Sequence, residues 1–342
     1  MEKAFGVFIL LIAIGAFIYL LPQVGEVFGF NGQTTANTAV LWLSLDNGRS
    51  FNGAFWHSAL TPEILDIKRS PADANIAYAG TSQGLFISKD GGLNWYQWSD
   101  LEKTIDSQTI VYRVVINPNN SAQVFLSAFR DGRGRIYETR DNFFTLNLIW
   151  DTAAEAVYDM ELLNNTLYLG LSDGRLFSYS LANREFRPMA SFSSAIADVD
   201  VANGNIYVAT KQLGLFISYN GGQSFVASAD DLASKSGGRL NAIAVQQRSS
   251  AALYAASLSG VFESFNQGST WKPIDTLISN RQSVDVVALG SGDDLYIGAG
   301  NKLYSSQDGG DNWQLILNLS NASKKVSSFY SDSSGKIMVG TK

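Results

Sequence analysis

From residue 38 onward, apolar and polar positions alternate along this chain in short runs separated by Gly, Asn, Asp and Ser. Alternation with period two, in runs of roughly four to eight residues, predicts half-buried β-strands. Residues 64–98 show the unit most clearly. Ile64-Leu65-Asp66-Ile67, Ile76 to Thr81, Leu85-Phe86-Ile87-Ser88 and Trp95-Tyr96-Gln97-Trp98 read as consecutive strands. Similar sets fall at about residues 111–150, 157–189, 196–227, 240–274 and 284–317, and no apolar stripe of helical period lies between them. The ends are incomplete in a complementary way. Residues 40–56 hold only the last half of a unit, and residues 326–341 hold only the first half. Joined, they make a seventh unit, and a ring closed in this way leaves no long open sheet edge.

One turn recurs inside these units, at intervals of roughly 40 to 50 residues, the period of blade arrays. It reads Ser-x-Asp-x-Gly-x-x-Trp at Ser88 to Trp95 and at Ser306 to Trp313. Looser copies run from Ser44 to Phe51, from Ser218 to Phe225 and from Ser264 to Trp271, and eroded ones stand at Thr139-Arg140-Asp141 and Ser178-Tyr179-Ser180. The third position, occupied by Asp46, Asp90, Asn220, Asn266 and Asp308, is expected to accept backbone N–H groups two or three residues on. Gly at the fifth position supplies the positive φ of a tight hairpin. The ring of Trp95, Trp271 or Trp313 at the eighth position opens the next strand and covers the turn, a burial that contributes on the order of 2–3 kcal/mol. Such a motif is a structural staple.

The motif resembles the Asp-box, or BNR, repeat of sialidases, sortilin-type receptor domains and photosystem II stability/assembly-factor-like proteins. Gly84-Leu85-Phe86-Ile87-Ser88 and Gly214-Leu215-Phe216-Ile217-Ser218 look most like the assembly-factor-like branch. The resemblance covers the chain after about residue 38. It implies a single all-β, seven-bladed β-propeller with Asp-box turns on the rim, between the third and fourth strands of each blade. Sialidase chemistry does not follow, because the Arg-Ile-Pro stretch of those enzymes is absent.

Before the repeats, residues 4–21 are apolar without interruption and end at Pro22. Eighteen helical residues reach about 27 Å, close to a hydrocarbon core of about 30 Å. A retained transmembrane helix is therefore expected at residues 1–22, with a cleaved signal peptide and a buried core helix as competing readings. Residues 23–37 read as a linker and 38–342 as the propeller. Lys3, against a linker with no Lys or Arg, places the N-terminus on the cytoplasmic side and the propeller outside it.

Composition narrows the chemistry. A formal net charge of −6 argues against a nucleic-acid footprint. The absence of cysteine removes disulfides and thiolate chemistry. A single His, His57, is too few for a multi-His metal site and weighs against a His-based triad. No cofactor or metal is expected. Paired carboxylates for glycoside hydrolysis stay open, since they need only a spatial separation.

Two groups of residues are candidates for binding. Aligning the first strands yields a polar column, Asp66, Arg113, Asp159, Asp198, Asn241 and Asp285, with Ser327 or Ser328 in the composite unit. It either binds a cation or a basic partner group, or ties neighbouring strands together. The second group is Arg130, Arg133 and Arg135, a basic hairpin between second and third strands that is either a recognition patch or solvated surface. The expected function is a membrane-anchored, extracytoplasmic, non-catalytic module that presents one propeller face to a protein or glycan. A carbohydrate-active hydrolase, sialidase- or endoglucanase-like, or a glycan-binding propeller is the alternative.

Overall fold

The computed structural model of the chain describes residues 39–342, apart from 101, 229, 247–251, 275–281 and 291–293. The transmembrane helix and linker expected within residues 1–37 lie outside the described residues. Among the described residues, no helix is long and apolar enough to cross a membrane.

The described residues form seven sheets, six of them antiparallel and one with an added parallel strand, arranged as the blades of a propeller. The first strands of blades 1 to 7 are Ile64–Arg69, Ile110–Asn117, Val157–Leu163, Ile196–Ala202, Leu240–Val245, Val284–Leu289 and Val326–Ser331. Each packs against the next, and the last against the first, around a central channel. Blade 7 is the composite. From the channel outward its strands are Val326–Ser331, Ile337–Thr341, Leu41–Ser44 and Asn52–Gly53, and Leu41 lies opposite Gly340. The next segment, Phe55–His57, crosses to blade 1 and adds a parallel fifth strand outside Asn94–Trp98. There Trp56 packs on Phe86 and Trp95, with ring centroids 4.3 and 5.8 Å away. His57 stacks on Tyr96 at this outer edge, far from the first strands. A short helix, α1 (Asp230–Ser236), sits between blades 4 and 5.

Two features shape the inner ring. In every first strand a β-bulge leaves one residue out of register with the second strand: Leu65, Tyr112, Tyr158, Ala197, Asn241, Asp285 and Ser327. Opposite the residue after each bulge, the second strand carries a small side chain: Gly80, Ser127, Gly170, Ala209, Ala256, Gly298 and Gly340. The glycines admit the neighbouring blade. A Cβ on Gly170 would lie 2.5 Å from Ile196, and one on Gly340 would lie 2.5 Å from Ile64. The size of these residues sets how closely blades nest.

The copy expected at Ser178-Tyr179-Ser180 lies inside the strand Arg175–Ser180 and forms no box turn; the other rim turns are built as their sequences suggest, with one adjustment. The Ser88 hydroxyl donates to Asp90 at 2.8 Å and accepts the Gly92 N–H at 2.8 Å. Asp90 accepts the backbone N–H of Asn94, four residues on rather than two or three, and also its side-chain amide, at 2.9 and 2.7 Å. The seventh position is therefore part of the motif. Ser50, Thr145 and Asn312 make the equivalent pair of bonds to Asp46, Asp141 and Asp308, whereas Ser224 and Thr270 donate their backbone N–H to Asn220 and Asn266, whose side-chain amides donate to the two hydroxyls. Each Trp caps its turn through the indole N–H: Trp95 to the Gly92 carbonyl, Trp271 to Gly268 and Trp313 to Gly310. The copy at Thr139 is less eroded than it reads. It keeps the hydrogen bonds, and Asn142 and Phe143 adopt the positive φ that glycine favours. The buried Phe143 ring then packs between Tyr78 and Trp98, 5.3 Å from each.

Candidate functional site: the channel and its mouth

The chain enters every first strand from one side of the disc. The connections between blades and the turns joining second to third strands therefore share one face, the crossover face, and the box turns occupy the other. Along each first strand, the bulge residue lies nearest the crossover face, and alternate residues beyond it descend into the channel.

The bulge corrects the expected polar column. Asp66, Arg113, Asp159 and Asp198 each follow the bulge and form one tier. Asn241 and Asp285 are themselves bulge residues, one step closer to the crossover face. They share the mouth with Tyr112, Tyr158 and Ser327, while Ala242 and Val286 take their places in the tier below.

The deeper tier is occupied by bonds between blades. Asp66 accepts the Val114 N–H of blade 2 at 2.9 Å. Asp159 accepts Val199 N–H of blade 4 at 2.8 Å, and Asp198 accepts Ile243 N–H of blade 5 at 2.8 Å. One turn of the pleat further down, Asp200 accepts Val245 N–H at 2.9 Å. Arg113 donates to Asp159 at 2.5 Å and to the Leu65 carbonyl at 3.2 Å, so it spans blades 1 to 3. At the mouth, the Asn241 amide donates to the Val284 carbonyl, and the Ser327 hydroxyl donates to the Ile64 carbonyl across the closure. A hydrogen bond to a charged group contributes about 1.5–3 kcal/mol, and a lost partner would leave a buried donor unpaired.

A cavity of about 430 Å³ runs through this tier and below it, and its lining includes Asp66, Lys68, Glu161, Asp198 and Asp200. Lys68 lies 3.5 Å from Asp66, which raises the lysine above its ordinary value. Burial, then the Asp200 carboxylate, pushes Glu161 up to about 8. Burial pushes Asp200 up to about 6, and burial with the neighbouring Asp159 carboxylate holds Asp198 well above the carboxylate range. These acids crowd one another inside low-dielectric walls, which disfavours the charged form.

The mouth is a second cavity, of about 530 Å³, lined by Tyr112, Tyr158, Lys211, Asn241, Asp285 and Lys342 among others. The Tyr112 and Tyr158 rings meet edge to face at 5.1 Å. Lys342 lies 3.7 Å from Asp285. Sequence reading missed this wall because Tyr112 and Tyr158 precede the polar column and alternate as ordinary strand aromatics. Lys211 and Lys342 arrive from the ends of second strands, an approach visible only once the ring is closed.

The basic hairpin, expected as either a recognition patch or solvated surface, stands further out on the crossover face, and its arginines are paired with carboxylates. Arg130 is a strut, 2.9 Å from Asp106 and bonded to the Lys103 carbonyl. Arg133 and Arg135 share Asp151, at 2.9 and 3.8 Å. Only Arg133, with half its side chain exposed, presents much of its guanidinium outward.

No family model matches this sequence, and no curated protein is significantly similar to it. Solved structures share the fold. YCF48 from Cyanidioschyzon merolae superposes with a TM-score of 0.65 at 13% identity, over 83% of this chain and 97% of that one. YCF48 bound to a D1 peptide superposes with a TM-score of 0.63 at 13% identity, over 82% and 93%. The extracellular domain of BT4673 from B. thetaiotaomicron gives 0.60 at 18% identity over 83% of this chain, which spans only 38% of that domain. At these identities the likeness establishes the propeller and nothing finer.

Proposed function

We propose that this chain is a non-catalytic, protein-binding propeller that works through its crossover face. The observation that carries this reading is the use of the channel carboxylates. Asp66, Asp159, Asp198 and Asp200 each hold a backbone N–H of the next blade's first strand, so they serve the ring. The mouth above them is concave, polar and aromatic, the profile of a recognition surface. The box turns on the opposite face spend their polar groups internally. YCF48, of the same fold, has been seen with a peptide, which supports a protein partner and an assembly-factor-like role here. Residues 4–21 hold the propeller to a membrane, on its extracytoplasmic side.

The test is capture of membrane proteins from the source organism on the immobilised full chain. A single partner should be retained by the wild type, released as salt rises, and held several-fold more weakly by Arg133→Ala with an unchanged melting temperature. Hydrolysis of a polysaccharide panel, lost in Asp198→Asn, would overturn the non-catalytic reading.

A further inference from the structure

The cations around the mouth are not all paired. Three cations face it: Arg113, Lys211 and Lys342. Arg113 is paired with Asp159 and Lys342 with Asp285. Lys211 follows the second strand of blade 4, Asn205–Thr210, and has no ion-pair partner among the described residues. Its ammonium is held below the ordinary lysine value first by burial and then, against the pull of Asp198, by Lys342 and Arg113. The Asp198 carboxyl below it is already bonded to Ile243 N–H, and burial keeps it toward its neutral form. Lys211 is thus the unpaired ammonium at the mouth among the described residues, set beside two tyrosines, with Leu65 and Ala197 also lining it.

We propose that the crossover-face mouth is a binding site for a single carboxylate attached to an apolar or aromatic group, with Lys211 as its counter-ion and Tyr112 and Tyr158 as its wall. One unpaired ammonium suits a monoanion. A phosphate dianion would also meet Asp285 at the rim, where like charges oppose it. The planar carboxylate takes the Lys211 ammonium as donor, and its attached group lies against the tyrosine rings, which bury large area with little loss of freedom. On a protein partner, this group is the C-terminal carboxylate of a chain that ends in an apolar or aromatic residue. Only that identification rests on the function proposed above.

The test uses small probes and needs no partner. The full chain in mild detergent is titrated with N-acetyl-L-phenylalanine, with its amide and with phenyl phosphate, and binding is read by saturation-transfer NMR. The acid should bind, the amide and phenyl phosphate at least tenfold more weakly. Lys211→Met should weaken the acid at least tenfold, Lys211→Arg should restore much of the loss, and Lys89→Met on the box face should change nothing. Circular dichroism checks that each variant is folded. Equal binding of acid and amide, preference for phenyl phosphate, or indifference to Lys211→Met would overturn the site. Failure to capture a protein partner, with the acid still bound, would count against the protein-binding reading alone.

Discussion

At the scale of single residues, the rim turns and the channel acids do the same kind of work in different places. Trp95 is fully buried, whereas Trp313 is only partly covered by the cluster it packs against. Trp95→Ala should therefore cost about 3–5 kcal/mol and Trp313→Ala distinctly less, measured by urea denaturation. Asp66→Ala should cost about 2 kcal/mol by orphaning the Val114 N–H, while leaving partner affinity per folded molecule unchanged. The turn was legible in the sequence because all its bonds close within eight residues. The seventh position escaped notice because Ser, Thr and Asn serve it equally. The displacement of Asn241 and Asp285 was not legible, since Leu240-Asn241-Ala242 alternates as well in either register and only the facing strand reveals the bulge.

At the scale of the strand, the inner ladder makes stability depend on pH. Glu161 and Asp200 have folded pKa values of about 8 and about 6, above their ordinary 4.5 and 3.8. An acid raised in this way holds extra proton in the folded state, so stability falls as pH climbs from its unfolded to its folded value. Asp46 and Asp308 are lowered to about 2 by the hydrogen bonds of their turns, so their contribution is lost as pH falls from 3.8 toward 2. The melting temperature should peak near pH 4–5 and decline toward pH 8. Glu161→Gln should flatten the alkaline decline, because no hydrogen bond to a described residue is lost with the carboxylate. A melting temperature that rises from pH 6 to pH 8 would contradict this account of the ladder. None of this was readable from spacing, since the crowding brings Glu161 of blade 3 beside Asp200 of blade 4 and Lys68 of blade 1.

At the scale of the whole molecule, closure and orientation matter most. Strand Ile337–Thr341 pairs with Leu41–Ser44, and the Ser327 hydroxyl reaches blade 1. Removing residues 320–342 should expose both blade 1 and the outer half of blade 7, and produce aggregation or a large loss of melting temperature. The complementary half-units made this closure legible, because each lacks what the other supplies. A chain beginning at Thr38 should stay folded and leave the membrane fraction, which centrifugation of both forms would show. Recovery of a mature protein starting between Pro22 and Thr38 would instead identify residues 4–21 as a cleaved signal.

One face of the disc works and the other holds. A photo-cross-linking residue placed singly on each face of the full chain tests this division directly. The crossover-face positions are Leu213 and Leu258, and the box-face positions are Lys89 and Phe265. Illumination in the membranes of the source organism should give one common adduct from the crossover-face positions, diminished by salt, and none from the box face. A common adduct from Lys89 and Phe265, with none from Leu213 and Leu258, would place the working surface on the opposite side.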